Sequence, residues 1–368
     1  MPQVADAQNF AARLLSWFDV AGRHDLPWQH PRSPYRVWLS EVMLQQTQVA
    51  TVIPYFQRFT AALPNLPALA TAPIDQVLAL WSGLGYYSRA RNLHGTAQLC
   101  VARHDGALPD TLLELRALPG IGRSTAGAIV ALAFEQRAPI LDGNVRRVLI
   151  RHRGIEGDPL SPLVQAQLWR LSEWLLPSAR VAGYTQAIMD LGATVCIRAQ
   201  PHCTLCPLNA DCVAFRSNRT TELPHPRRRL TRTQRGCHAL IMRDPAGRIL
   251  LERRPSTGVW GGLWSLPEFP DQTALHAHAF REGARPVATA CRDLQPGSNA
   301  RELSTIHHAF THFDLTLRPS LVDLHALACG VSESDSPRWF AAQDLAAIGL
   351  PAPIRKLLSQ LPDPIDAT

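Results

Sequence analysis

The sequence predicts a multidomain protein, an all-α part followed by an α+β domain, on three observations. At 368 residues the chain exceeds what one ordinary core can hold and points to two or three domains. Over residues 1–216 apolar positions recur at helical spacing, as in Phe10, Leu14, Leu15 and Phe18, through Val37–Val49 and through Leu112–Phe134, with little strand-like alternation. After residue 236 the period changes. Cys237–Met242 and Ile249–Arg253 are short apolar runs on either side of a Pro245-Ala246-Gly247 turn, and Thr311–Leu317 alternates so that Phe313, Leu315 and Leu317 share one face. A helical segment near Ile354–Leu361 completes the 236–368 domain. Between the two lies 217–235, with Pro224, Pro226 and the run Arg227-Arg228-Arg229, which reads as an exposed linker.

The net charge of +7 is unevenly placed: residues 1–216 carry +4, the linker +5 and residues 236–368 carry −2. That is the distribution of a polyanion-binding module joined to a less basic appendage. No apolar stretch is long enough to span a bilayer, and no basic start leads into an apolar run, so a soluble, cytoplasmic protein without membrane contact is expected. Of the 37 basic residues only Lys356 is lysine. Chemistry that needs a lysine amine in the body of the protein is thereby excluded.

Four of the eight cysteines form Cys196-x6-Cys203-x2-Cys206-x5-Cys212. In an intracellular chain such a group points to metal rather than to disulfides. Four thiolates suit zinc or an iron–sulfur cluster; the spacing leaves both open, and structural zinc is the commoner use. Cys100, Cys237, Cys291 and Cys329 lack any such spacing and read as small buried apolar residues.

Leu118-Pro119-Gly120-Ile121-Gly122 separates two helical patterns, the second opening with Ser124. Gly120 and Gly122 allow a tight turn whose N–H groups point outward at a helix N-terminus, where a phosphate oxygen is favoured. A glycine turn between helices is common by itself. The basic setting and two carboxylates give it a nucleic-acid reading. Glu41 lies in Tyr35–Thr47, apolar nearly all round, so its helix should be buried and its pKa raised, which is the property of a general acid. Asp142, between Ala138-Pro139-Ile140-Leu141 and Gly143-Asn144-Val145, reads first as a helix N-cap, a position that also makes it rigid.

With Glu41, the hairpin, Asp142 and the four cysteines in this order, the chain resembles the MutY adenine DNA glycosylases of the helix-hairpin-helix superfamily. The resemblance runs through Leu26-Pro27-Trp28, Ser40–Thr47, Gly83-Leu84-Gly85-Tyr86-Tyr87, the glycine hairpin, Leu141–Val145 and the cysteine spacing. It implies an all-α helix-hairpin-helix domain over 1–216, with a six-helix barrel lobe at about 27–136 and an iron–sulfur lobe from 1–26 and 137–216. It also implies a [4Fe–4S] cluster on Cys196, Cys203, Cys206 and Cys212, displacing the zinc reading. Glu41 would protonate adenine and later activate water, Asp142 would stabilise or trap the oxocarbenium-like sugar, and Asn144 would support Asp142. Trp28 and Gln186 resemble residues lining the pocket of a flipped adenine; Leu44, Gln46 and Tyr86 resemble those wedged into the duplex.

Trp260-Gly261-Gly262-Leu263-Trp264 resembles the start of a Nudix fold like that of MutT, although no Arg-Glu-x2-Glu-Glu helix follows. The implied role of this α+β domain is reading 8-oxoguanine, through Phe310-Thr311-His312 preceded by His308, with Thr311 where the family uses Ser. The implied partner is double-stranded DNA with A:8-oxoguanine or A:G mispairs, bound by a monomer. Ser124 occupies the place where endonuclease III-type relatives carry a catalytic lysine. The competing readings are such a bifunctional oxidised-pyrimidine glycosylase and lyase, or a non-catalytic damage-binding protein. Without the lysine, borohydride treatment of the protein on abasic-site duplex should trap no adduct above background; a strong adduct lost on changing one internal residue overturns monofunctional chemistry.

Overall fold

The computed structural model describes residues 4–225, 231–283, 300–310, 312–324 and 337–362. Arg227, Arg228, Arg229, Cys291, Thr311 and Cys329 lie outside the described residues. The chain divides into two compact units, one of residues 1–72 and 92–228, the other of 73–91 and 229–368. Segment 73–91 thus groups with the C-terminal residues although it lies early in the sequence.

The first unit is helical. Its helices are α1 (Val4–Ala21), α2 (Pro34–Leu44), α3 (Val49–Ala62) and α4 (Leu66–Thr71); α5 (Ile74–Trp81) lies in the other unit, and α6 (Ser88–Arg103) crosses the division. They are followed by α7 (Leu112–Ala117), α8 (Arg123–Phe134), α9 (Gly143–Arg153), α10 (Pro162–Leu175), α11 (Val181–Asp190) and α12 (Val213–Arg216). The helical pattern expected without a break over Val37–Val49 is interrupted. Gln46 takes a left-handed φ of 57°, which ends α2 and lets α3 restart at Val49. Side-chain caps start several of these helices, with Ser33, Thr111, Asp142 and Ser161 accepting from the N–H three residues on.

The core of this unit draws Phe10 and Leu14 of α1, Val37 of α2, Ala128 and Ala131 of α8, Leu149 of α9, Leu168 of α10 and Tyr184 of α11 into one cluster. Residue 10 thereby packs against the end of the helical sequence, which no local pattern reveals. Helix α8 is buried on all sides from Ala126 to Leu132, as its all-apolar sequence requires. Within 217–223, expected as part of an exposed linker, Leu223 alone returns to this core: it is buried and its carbonyl accepts from Arg151 Nε at 2.8 Å.

In the second unit β1 (Thr233–Arg243) and β2 (Ile249–Arg253) flank the expected turn, where buried Asp244 accepts from the Ala246 and Arg248 N–H groups at 3.0 and 2.8 Å. They are followed by β3 (Trp264–Ser265), β4 (Glu268–Phe269), α13 (Gln272–Gly283), β5 (Ala300–Glu302), β6 (Ile306–Ala309), β7 (Phe313–Asp323), β8 (Arg338–Phe340) and α14 (Ala352–Leu358). The sheet runs β3-β2-β1-β7-β5, with β4 on β1, β6 on β7 and β8 on β2. Its centre is the parallel pair β1 and β7, in register from Thr233 opposite Phe313 to Arg243 opposite Asp323. Phe313, Leu315 and Leu317 are all buried, as their alternation predicts. Helix α5 belongs here: Asp75 pairs with Arg253 at 2.7 Å, and the Ser82 hydroxyl donates to the Leu350 carbonyl at 2.8 Å.

Among the described residues no helix is long and apolar enough to cross a membrane. Within α8, a Cβ on Gly127 would stand 2.3 Å from the Pro139 carbonyl oxygen, so α8 can lie against the segment leading to Asp142 only because this residue lacks a side chain. Gly127→Ala gains helix propensity of about 1 kcal/mol, yet the obstacle is backbone and cannot swing aside. The variant should therefore unfold more easily by about 1–3 kcal/mol in thermal or denaturant melts; an unchanged or higher stability would contradict this packing.

Candidate active site

Glu41 lies on α2, whose Val37, Trp38, Ser40, Val42 and Met43 are buried around it. Burial, and secondarily the charge of Asp142, push its carboxyl up to about 8, so it keeps its proton near neutral pH. Asp142 caps α9, accepting from the Val145 N–H at 2.7 Å. Burial also raises the pKa of Asp142, an effect opposed but not outweighed by the Val145 and Asn144 N–H groups and the Arg147 and Arg146 charges. The two carboxyls are therefore unequally supported. Both carboxyls are shifted upward, but only Asp142 has N–H donors and arginine charges beside it that favour its charged form.

The approach to Asp142 is held at several points. The Ser124 hydroxyl, on the first turn of α8, accepts from the Leu141 N–H at 3.0 Å, and the Ser172 hydroxyl on α10 donates to the Ile140 carbonyl at 2.7 Å. Ser124, a short side chain, thereby ties the hairpin helix to the Asp142 segment. Asn144 accepts through Oδ1 from Arg147 Nη2 at 2.9 Å, and the same guanidinium donates to the carbonyls of Gly192 at 2.6 Å and Cys196 at 2.7 Å. A Cβ on Gly192 would lie 2.6 Å from the Asn144 Cβ, so the π-turn Leu191–Val195 presses directly on the start of α9.

In the hairpin, Gly120 has φ +76° and a Cβ there would meet Asn92 at 2.9 Å, so both conformation and space require glycine. Gly122 is different: as N-cap of α8 it has φ −80°, and a Cβ would meet nothing within 4 Å. Its value is the open approach it leaves to the first N–H groups of α8, where an anion is favoured.

Trp28 is buried edge-on to Phe56, over whose ring the Arg36 guanidinium lies at 4.9 Å. Gln186 is buried on α11 and donates through Nε2 to Asp190 Oδ1 at 2.8 Å; Asp190 in turn accepts from the Arg23 N–H at 2.8 Å and from its guanidinium. Asp190, Arg23 and Arg147 were not singled out from the sequence. Asp190 lies one helical turn after Gln186, and that spacing was the available signal. Leu44 closes α2 one turn beyond Glu41, and exposed Gln46 follows in its left-handed conformation.

Cys196 follows the π-turn, Cys203 opens a 3₁₀ turn, and Cys212 precedes α12. Cys196, Cys206 and Cys212 pack against the helical core. Burial pushes the thiols of Cys203, Cys206 and Cys212 up, Cys206 to about 12, and each also feels the charge of others in the set. Arg151 Nη1 stands 3.5 Å from Cys196 Sγ. Among the described residues no three His, Cys, Asp or Glu side chains converge on a position for one metal ion.

The second unit holds the remaining expected residues. Tyr86 is half exposed at φ 48°, in a loop where the Gly85 carbonyl accepts from Trp81 Nε1 at 3.2 Å and Arg89 Nη2 at 3.1 Å. His308 and Phe310 meet edge to face at 4.6 Å, and exposed His312 follows.

The family model of HhH-GPD superfamily base excision DNA repair proteins matches residues 39–173, and that of the NUDIX domain matches 238–360. An adenine DNA glycosylase of Buchnera aphidicola subsp. Acyrthosiphon pisum is 35% identical over 95% of this chain and 96% of its own length. The chain belongs to the adenine DNA glycosylase family. Another member, from Mus musculus, is 34% identical over 98% of this chain and 79% of its own. In fold, the helical part of this family member is similar to an endonuclease III bound non-covalently to DNA, with TM-score 0.51 and 21% identity over 59% of this chain and 99% of that one. A thermostable thymine-DNA glycosylase aligns with TM-score 0.53 and 25% identity over 58% of this chain and 98% of that one. The expected helix-hairpin-helix domain followed by a Nudix domain is thus the architecture of this family member.

A carboxyl whose pKa in the folded protein stands above its unfolded value favours folding most at low pH and loses that contribution as pH rises through about 8. Glu41→Gln cannot ionise. It should melt higher than the parent by roughly 5 °C at about pH 9, with no gain at about pH 4. No gain at the higher pH would show that Glu41 is not a buried, protonated group.

Proposed function

We propose that the protein is a monofunctional glycosylase that removes adenine mispaired with 8-oxoguanine, or with guanine, from double-stranded DNA. The observation that carries this is the pair of unequally supported carboxyls. The glycosidic bond cannot be reached while the base stays stacked, so adenine must leave the duplex, and the buried Trp28 face and the fixed Gln186 amide are the surfaces suited to receive it. Glu41 donates its proton to a ring nitrogen of adenine. The bond from C1′ to N9 then breaks with its electron pair going to adenine, which departs as a neutral base. The Asp142 carboxylate offsets the positive charge left on the sugar or closes on C1′ to trap it, with Asn144 and Arg147 keeping it in place. A water adds to C1′ and gives its proton to Glu41, restoring the acid. No amine attacks the sugar, so the strand stays whole.

The four cysteines, soft thiolate donors that feel one another's charge within one lobe, are a donor set that fits the [4Fe–4S] cluster implied by the family resemblance. Such a group would be held by Cys196, Cys203, Cys206 and Cys212 and would be capable of one-electron chemistry. Base release is assigned to Glu41 and Asp142 alone. In the second unit, the His308, Phe310 and His312 loop is the expected reader of the lesion, and Tyr86 the expected wedge.

Single-turnover assays on A:8-oxoguanine and A:G duplexes should release adenine and leave strands intact until alkali is added. The rate should fall as pH rises above about 8, where Glu41 gives up its proton. Glu41→Gln should abolish release, by more than about a thousandfold, while duplex affinity stays within a few-fold. Binding without release by the native protein, or near-normal release by the variant, overturns the assignment.

A further inference from the structure

We infer that Trp260 is a positioning residue for recognition of the base opposite adenine, acting through Phe310 and His308; this rests on the proposed role of their loop. Trp260 is buried, and its ring meets His308 at 6.0 Å and Phe310 at 5.7 Å, both tilted. Behind Phe310 lies Phe313, stacked at 4.5 Å and 19°, with the Arg235 guanidinium 4.5 Å from the Phe313 ring. The Phe310 N–H donates to the Phe313 carbonyl at 2.8 Å, which closes the tip that carries exposed His312. Phe310 is therefore in ring contact with both Phe313 and Trp260.

Trp260 itself is in an unusual conformation. Its φ of 54° is rarely adopted by a bulky side chain and persists only where the surroundings over-determine it. Here they do. The Leu263 N–H donates to the Trp260 carbonyl at 3.0 Å and the Gly262 N–H to the Pro255 carbonyl at 3.0 Å. A Cβ on Gly261 would strike the Ser256 carbonyl at 2.6 Å. Arg91 clamps the turn from outside, donating to the Ser256 carbonyl at 3.0 Å and to that of Gly261. A turn fixed this firmly holds the indole within ring-contact distance of both His308 and Phe310. Ring contacts of this kind decide orientation as well as burial. A small side chain at position 260 would leave Phe310 and His308 free to turn, and the distinction between an oxidised and a normal guanine would weaken.

The test is single-turnover adenine release by the full chain on A:8-oxoguanine and A:G duplexes, comparing the ratio of the two rates, with Tm recorded for each variant. Trp260→Ala should lower the ratio about tenfold, and Trp260→Phe should largely restore it. If Trp260→Ala fails to fold, Trp260→Leu, which keeps apolar volume without the ring face, should lower the ratio in the same way. An unchanged ratio, or equal loss of both rates with a lowered Tm, overturns the inference in favour of simple packing. Phe310→Ala with His312→Ala separates the two levels. A ratio unmoved in that control removes the loop's role and the inference with it, whereas a ratio lowered there but not in the Trp260 variants removes the inference alone.

Discussion

Two half-buried carboxyl groups lie within electrostatic reach of each other, and the surrounding chain offers charge-favouring partners to only one of them. Asp142 receives two backbone N–H groups and the fields of Arg146 and Arg147, whereas the neighbours of Glu41 on α2 are mostly apolar and the next charge it feels is the negative one of Asp142. Much of the first unit follows from keeping this inequality in place. Gly127 lets α8 lie against the approach to Asp142, Ser124 and Ser172 tie that approach from either side, and the N-cap bond fixes its end. Each contact is modest alone. Together they hold a carboxylate at a helix start with little freedom to rotate.

Helix α9 extends this arrangement toward the cysteines. Its first residues carry Asn144 and Arg147, its later turns Arg151, and both arginines donate to the chain around Cys196. Arg151, almost wholly buried, also binds the carbonyls of Arg198 and Leu223. A buried guanidinium is tolerated when its donors find acceptors in this way. The cysteine lobe and the acid site therefore share one rigid element, and displacement of the chain at Cys196 would act on the helix that Asp142 caps.

Hydrophobic period was a good guide wherever the relevant neighbours were close in sequence. The alternation of Phe313, Leu315 and Leu317, the turn between β1 and β2, and the burial around Glu41 were all legible because strand and helix faces are local properties. The break at Gln46 was not, since a single left-handed residue leaves the apolar spacing of Val37–Val49 almost unaltered. The return of Leu223 to the helical core was hidden behind proline and arginine composition that ordinarily marks an exposed linker. Trp260 was noticed only as part of a resemblance; its contact with His308 and Phe310 joins segments far apart in the chain.

By itself the sequence determined which chemistry was available: acids at Glu41 and Asp142, four cysteines at close spacing, and no lysine before Lys356. An absent residue type is absent in every conformation, so the exclusion of a lysine amine before Lys356 needed no structure. Only the tertiary structure decided how unequally the two acids are surrounded by groups that favour their charged forms. That difference depends on burial, on N–H groups at the start of α9 and on arginines aimed from its first turns, and none of these has a value until the chain has packed.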